Sequence, residues 1–208
     1  MPDPPAYLLT ATVWAYWIGT CVMISRVRRK HRKAACFVPS VRLERLLWPI
    51  WLPLVVAWIA LLTMAVLRGP FLVALPEFVV KHPAFTGIRW AAALSAVLFF
   101  FGTVECWIRM GKNWGMTVTP DQKTELVTKG LYARVRHPIY ALSVLLMASS
   151  AIILPEIPMI AVAAIHISFM VIKARNEERF LLKVHGEKYS NYQKRTGHFF
   201  PRLFVRDR

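Results

Sequence analysis

The chain has 208 residues, 56% of them hydrophobic, and carries 27 Lys+Arg against 11 Asp+Glu, a net charge of +16. At a mean hydropathy of +0.43, a soluble domain of this size would expose too much apolar surface, and the long apolar runs exclude disorder. The positive charge alternates with stretches of membrane length, so it reads as the flanks of an integral membrane protein rather than a nucleic-acid surface.

In chain order, Ala6–Ser25 is the first apolar segment, with Trp14, Tyr16 and Trp17 inside it. It is no cleaved leader, since its basic cluster follows rather than precedes it. Leu46–Leu67 opens with Trp48 and Trp51, and Ile88–Ile108 ends near Glu105. All three meet the ~20 residues that a hydrocarbon core of ~30 Å requires. The segment Arg68–Gly87, with three prolines and Phe71, Leu72, Val73 and Leu75, reads as interfacial. Ile139–Leu154 and Pro158–Ile172 are shorter, and Pro155 and Pro158 between them predict a helical hairpin.

Orientation follows from charge. If Arg26–Arg45 is cytoplasmic and sides alternate, then 24 Lys+Arg fall on the cytoplasmic side. Only Arg68, Lys81 and Arg89 fall on the other. This positive-inside pattern puts the N-terminus outside and the C-terminus in the cytoplasm. The cluster from Arg26 to Lys33 is expected to touch anionic headgroups. Cys21, Cys36 and Cys106 are odd in number and widely spaced, which suits neither a disulfide framework nor a zinc site. No His/Asp/Glu spacing suggests a metal site either.

Polar chemistry concentrates in the loop Arg109–Pro138 and the tail Lys173–Arg208. Pro138 suits the first turn of a helix, and His137 before it is pushed toward an extended conformation. That geometry predicts free backbone N–H groups and a positive helix end, suited to a carboxylate or phosphate, with donors from Arg134, Arg136 and His137. The helix from Pro158 runs without a breaker to Gly186, so its last turns stand clear of the membrane. Lys173 and Glu177 share one face of it. Phe180, Leu181 and Val184 continue that face and should pack under the tail, Tyr189–Phe204. Glu105 is placed to pair with Arg109 one turn on. His166, inside the apolar part, should bond a neighbouring helix or line a substrate path.

Two segments together carry a resemblance. Leu126-Val127-Thr128, Gly130, Tyr132, Arg136-His137-Pro138 and Tyr140 are followed by a short apolar hairpin. Glu177-Glu178, Leu182, Gly186, Tyr189 and Tyr192 come next, with Gly111 and Trp114 upstream and Phe200-Pro201 at the end. This pattern resembles the isoprenylcysteine carboxyl methyltransferase family, and the related phospholipid N-methyltransferases look similar. The resemblance implies S-adenosylmethionine bound on the cytoplasmic side. It places Leu126, Val127, Tyr132, His137, Pro138, Ile139 and Tyr140 in the cofactor cradle, with Glu177 facing the methionine moiety or ribose. It also implies a lipid-like or prenylated acceptor reached from the bilayer. The family often has Arg one turn before the first Glu, to meet a substrate carboxylate, and here that position is Lys173. It often has Gly two residues after the last Tyr of the first motif, where this chain has Leu142, narrowing either a helix contact or the cofactor pocket.

The expectation is an all-α polytopic membrane bundle of about five segments, the last two a short hairpin. Residues 1–104 form N-terminal membrane helices and 105–208 a methyltransferase-like region. The function the resemblance implies is S-adenosylmethionine-dependent methyl transfer, carboxylate O-methylation of an isoprenylcysteine-type substrate favoured, with Lys173 and Glu177 expected to be catalytic. Its partners are the lipid substrate and membrane lipids, with no nucleic acid and no obligatory protein partner. The rival readings are an NADPH-dependent sterol-type reductase, which shares Arg-His-Pro-x-Tyr, and a non-catalytic scaffold of the same fold.

Overall fold

Apolar length decides the architecture. A computed structural model describes residues 3–31, 42–69, 75–115 and 125–202. Helices α1 (Pro4–His31), α2 (Arg42–Arg68), α4 (Pro83–Met110) and α6 (Ile157–His185) are each long and apolar enough to cross a membrane. The short helix α3 (Glu77–Val80) precedes α4, and α5 (Pro138–Ile153) is the shorter apolar helix. At 1.5 Å per residue α5 is roughly 24 Å long and α6 roughly 43 Å, so the hairpin pairs a short arm with a long one. A last helix, α7 (Glu187–Arg195), follows Gly186, whose φ of 52° ends α6 while its N–H bonds the Leu182 carbonyl. The chain is thus a multi-pass helical membrane bundle.

The four long helices outrun their apolar segments at both ends. α4 starts five residues before Ile88, because Pro83 fits its first turn and the His82 ring accepts the Ala84 N–H at 3.2 Å. Residues 70–74 of the expected interfacial segment, and Cys36, lie outside the described residues. Pro49 and Pro53 sit within α2 without ending it, as membrane helices tolerate.

α5 packs between α4 and α6; α1 packs on α4, α2 and α5, and α2 closes on α6. Small residues Ala92, Ala93 and Ala96 of α4 are buried at this packing, where they allow close approach of backbones. Four buried hydroxyls are satisfied inside their own helices: Thr10, Thr20, Thr103 and Ser150 each donate to the carbonyl four residues back. The Trp58 indole donates to the Ser150 hydroxyl at 2.9 Å, joining α2 to α5. Ile18, Val22, Val56, Leu94, Leu98 and Phe101 are exposed on the outside of the bundle, as a lipid-facing surface requires. At the far end Arg89 bonds Asp3 and the Ile153 carbonyl.

Leu142 faces α4: a Cβ on Gly102 would lie 3.2 Å from its Cδ1. The residue in the glycine position therefore fills a helix contact, and it is not among the residues lining the site cavity described next.

Candidate functional site

The segment before α5 is held by the tail. The N–H groups of Arg136 and His137 donate to the carbonyls of Gly197 (2.8 Å) and His198 (3.2 Å), and the Gly197 N–H returns to the Arg134 carbonyl (3.0 Å). Val135 and Gly197 form an isolated parallel bridge. The Tyr192 hydroxyl donates to the Tyr132 carbonyl at 2.6 Å. Two stretches about 60 residues apart are thereby fixed as one unit on the basic end of the bundle.

This corrects two expectations. The His137 N–H does not point freely at a ligand, because the His198 carbonyl takes it. The Arg136 guanidinium is turned inward: Nε lies 2.6 Å from Glu178 Oε1, and Nη1 reaches the carbonyls of Gln193 and Thr196. A side chain that reads as a surface donor for anions is the centre of a nearly buried ion pair. Val184 is also exposed rather than covered by the tail, whereas Tyr189 is buried.

His137 stands between two carboxylates. Its Nε2 is 3.2 Å from Glu178 Oε1 and its Nδ1 is 3.7 Å from Glu177 Oε2. Tyr140 stacks on the ring at 5.5 Å between centroids and 5° between planes. The ring is 4% exposed in its side chain, so its orientation is set from three sides. The resulting group of His137, Glu178 and His198 brings metal-ligating atoms within 4.8 Å of one another, although sequence spacing pointed to no such cluster. The Arg136 guanidinium already occupies the same Glu178 oxygen.

Burial raises the phenols of the site. The Tyr132 hydroxyl is held well above its ordinary range by burial first, and by nearby Glu177. Tyr192 is pushed up to about 12, again mainly by burial. Tyr189 is raised by burial with Glu178 and Glu177 adding to it. All three are therefore neutral near pH 7. Burial lowers His198, opposed by the charge of Glu178.

Below this unit a cavity runs along one face of α6, past Glu177, Lys173, Met170 and His166. These residues recur every three or four positions, so they form one stripe roughly 16 Å long. Its empty space, including the part open to solvent, is about 790 Å³. Of the residues expected in the site, Tyr132, His137, Ile139, Tyr140, Lys173 and Glu177 line it together. Leu126 and Val127 lie half-buried on the irregular stretch before Gly130, and Pro138 is buried in the first turn of α5; none of these three lines the cavity. The Lys173 ammonium lies 5.8 Å from the Trp51 ring centroid and 5.6 Å from that of Tyr140. His166 Nε2 is 3.0 Å from the Ser143 hydroxyl, so this histidine both bonds a neighbouring helix and lines the cavity. Glu105 pairs with Arg109 at 2.7 Å.

Sequence reasoning missed the far wall. Tyr16, Trp17 and Thr20 of α1, Trp51 of α2, and Trp107 and Trp114 also line the cavity. The available signal was the concentration of indoles in the apolar segments and the Gly111-x-x-Trp114 spacing.

Residues 88–188 match the family model for phospholipid methyltransferase. The chain is also similar to the nickel-cobalt-cadmium resistance protein NccN of Alcaligenes xylosoxydans xylosoxydans, 27% identical over 115 residues. It is similar to the cobalt-zinc-cadmium resistance protein CzcN of Cupriavidus metallidurans, 29% identical over 130 residues. These alignments cover 55% and 61% of this chain and 53% and 60% of the two relatives. The chain thus spans only about half to three-fifths of their length.

Proposed function

We propose that this chain, which belongs to the phospholipid methyltransferase family through residues 88–188, transfers a methyl group from S-adenosylmethionine to a lipid-like or prenylated acceptor at the cytoplasmic face of a membrane. The observation that carries the reading is one cavity that has His137 and Glu177 at its basic end and indoles and His166 at its apolar end. A soluble cofactor and a bilayer-borne acceptor need these two different ends in one space.

The residues fit the cofactor's groups. Glu177 suits an ammonium or ribose hydroxyls, and the positive end of α5 suits a carboxylate. Tyr132 and Tyr140 offer aromatic faces to an adenine or to a sulfonium. When bound, S-adenosylmethionine supplies a methyl already activated by positive sulfur, which keeps the bonding pair as the methyl leaves. A carboxylate acceptor brings its own lone pair and has no proton to lose, so the chain's task is alignment rather than general base catalysis. Lys173, one turn toward the membrane from Glu177, is placed to hold such an acceptor's negative charge. A Lys is a point charge without the guanidinium fork, so it attracts the carboxylate without fixing its plane.

The names of the two relatives supply a second reading, methylation that alters tolerance of nickel, cobalt, zinc or cadmium. The His137–Glu178–His198 group favours it, and Arg136 on the shared oxygen opposes a cation there.

Thermal unfolding in detergent with candidate cofactors tests the first reading. S-adenosylmethionine or its demethylated product should stabilise the chain, by about 2.7 kcal/mol at 100 times its dissociation constant. Stabilisation by NADPH alone would establish the reductase reading instead, and none by either would leave the scaffold. Lipid extracts from cells with and without the chain should differ by species carrying a methyl in place of a hydrogen.

A further inference from the structure

Two hollows in this molecule share one wall. The first is the site cavity. The second is a groove along the outer face of α1, lined by Trp14, Trp17, Ile18, Cys21 and Val22, with Ile59 of α2 on its flank. Trp17 lines both. The groove residues follow helical spacing, and the same stripe ends at Ser25, Arg26 and Arg29. Ile18 and Val22 are 56% and 59% exposed, so the groove faces the hydrocarbon while its basic end reaches the headgroup level.

The shared wall is built from indoles rather than aliphatic side chains. Trp17 meets Trp51 edge-on at 5.8 Å and Trp58 at 6.2 Å. The indole nitrogens of Trp17 and Trp51 are buried with no hydrogen-bond partner. The His166 Nδ1 atom on the same cavity has none either. Buried polar groups are overwhelmingly paired, so three unpaired ones around one cavity point to a ligand that supplies partners. Two of the three are obligate donors, and they call for an accepting atom.

Charge selects among lipids. Arg26 and Arg29 mark the groove, Lys173 stands over Trp51, and Glu177 at the opposite end is the one acid among the described residues lining either hollow. An ammonium headgroup would meet cations along the whole path, whereas an oxygen acid meets cations and N–H donors.

We propose that the methyl acceptor reaches the site from the bilayer along the α1 groove, and that Trp17 is the gate between groove and cavity. Its occupant is an anionic lipid-borne acceptor, drawn by Arg26 and Arg29 and received by the Trp17 and Trp51 N–H groups beside Lys173. This rests on the methyltransferase reading for the event that follows. Trp17 is a positioning residue: it admits and orients the acceptor.

Cys21 makes the path testable, since it is a free, exposed thiol in the groove one turn from Trp17. The full chain, carrying Cys36→Ser so that Cys21 is the accessible target, is placed in phosphatidylcholine nanodiscs. Alkylation of Cys21 by N-phenylmaleimide is timed with oleate, oleylamine or oleyl alcohol added. Oleate should slow it about tenfold and oleylamine should not, and Arg26→Gln with Arg29→Gln should remove the protection. Equal protection by oleylamine overturns the choice of an anionic occupant. In the second arm, labelled methyl is followed from S-adenosylmethionine into extracted cell lipids. Alkylated chain should transfer about tenfold less while its S-adenosylmethionine affinity holds, and Cys21→Ser should be immune to the reagent. Full transfer after alkylation overturns the path, whether or not oleate binds, because the groove then holds only a bystander lipid. Loss of transfer and of cofactor binding in the untreated chain defeats the methyltransferase reading and this proposal with it. The oleate arm separates the two failures, since it reads the groove without any cofactor.

Discussion

Arg136 and Glu178 are 42 residues apart in sequence and 2.6 Å apart in space, with side chains 11% and 16% exposed. The same guanidinium holds two tail carbonyls, and the same carboxylate oxygen faces His137. One ion pair therefore joins the start of α5, the end of α6 and the tail. Removing one partner leaves a desolvated charge, which costs about 3–5 kcal/mol in buried pairs and somewhat less at this exposure. Arg136→Met and Glu178→Gln should each lower the midpoint of thermal unfolding in detergent. Arg136→Lys should recover little, because an ammonium cannot serve the carboxylate and both carbonyls in this geometry. Lysine behaving like wild type would show that net charge, rather than the fork, holds the tail.

Gly130 has a φ of 67°, and a Cβ there would lie 2.3 Å from Arg109 Nε. Arg109 is in turn bound to Glu105. Gly130→Ala should destabilise the chain by about 1–2 kcal/mol from backbone conformation alone, with the displaced Arg109 adding to it. Arg109→Ala relieves the clash but not the backbone strain. The double variant Gly130→Ala/Arg109→Ala should therefore retain most of the alanine penalty when compared with Arg109→Ala. If the penalty vanishes in that background, crowding rather than conformation demands the glycine.

How far the molecule was legible depended on range. Segments such as Leu46–Leu67 declare themselves because apolar length is a local property, and this helix then runs on to Arg68, where Gly69 with a φ of 85° follows it. The stripe Lys173–Glu177 was legible from helical spacing. Arg136 was misread because a basic residue beside a membrane looks the same whether it faces water or a carboxylate 42 residues away. Trp17 and Trp51 were invisible as site residues because an indole in an apolar helix has the same sequence signature against lipid, core or cavity. The His137–Glu178–His198 group was hidden for the same reason as the tail pairing: its members come from three distant stretches with no common period.

The charge distribution fixes an expected orientation. With 24 of the Lys+Arg on one side of the alternating segments and Arg68, Lys81 and Arg89 on the other, a reporter after Arg208 should be cytoplasmic and one before Met1 external. Protease protection that places both ends on one side would mean that one of the five segments does not cross. The short α5 would then be the first suspect, at roughly 24 Å against a core of ~30 Å.

On the proposed methyltransferase reading, Lys173 and Glu177 should divide the cavity between two ligands. They lie one turn apart on α6, and both line the same space. Glu177 sits by His137 Nδ1 at 3.7 Å, on the basic side. Lys173 sits over Trp51 and Tyr140, nearer the apolar end. The outer residue should meet the soluble cofactor and the inner one the bilayer-borne acceptor. Glu177→Gln keeps the size and removes the charge, so it should weaken S-adenosylmethionine binding by about 1–3 kcal/mol, the worth of a charged hydrogen bond. Lys173→Met keeps the apolar stem over the two rings and removes the ammonium. Cofactor affinity should hold while turnover falls, most of all on an acidic acceptor. The measurement is a pair of cofactor-binding isotherms beside label transfer into lipid. If the two residues serve only each other as a surface pair worth under ~0.5 kcal/mol, neither variant should move either quantity. If Lys173→Met abolishes cofactor binding while Glu177→Gln does nothing, the two ends of the cavity are assigned the wrong way round.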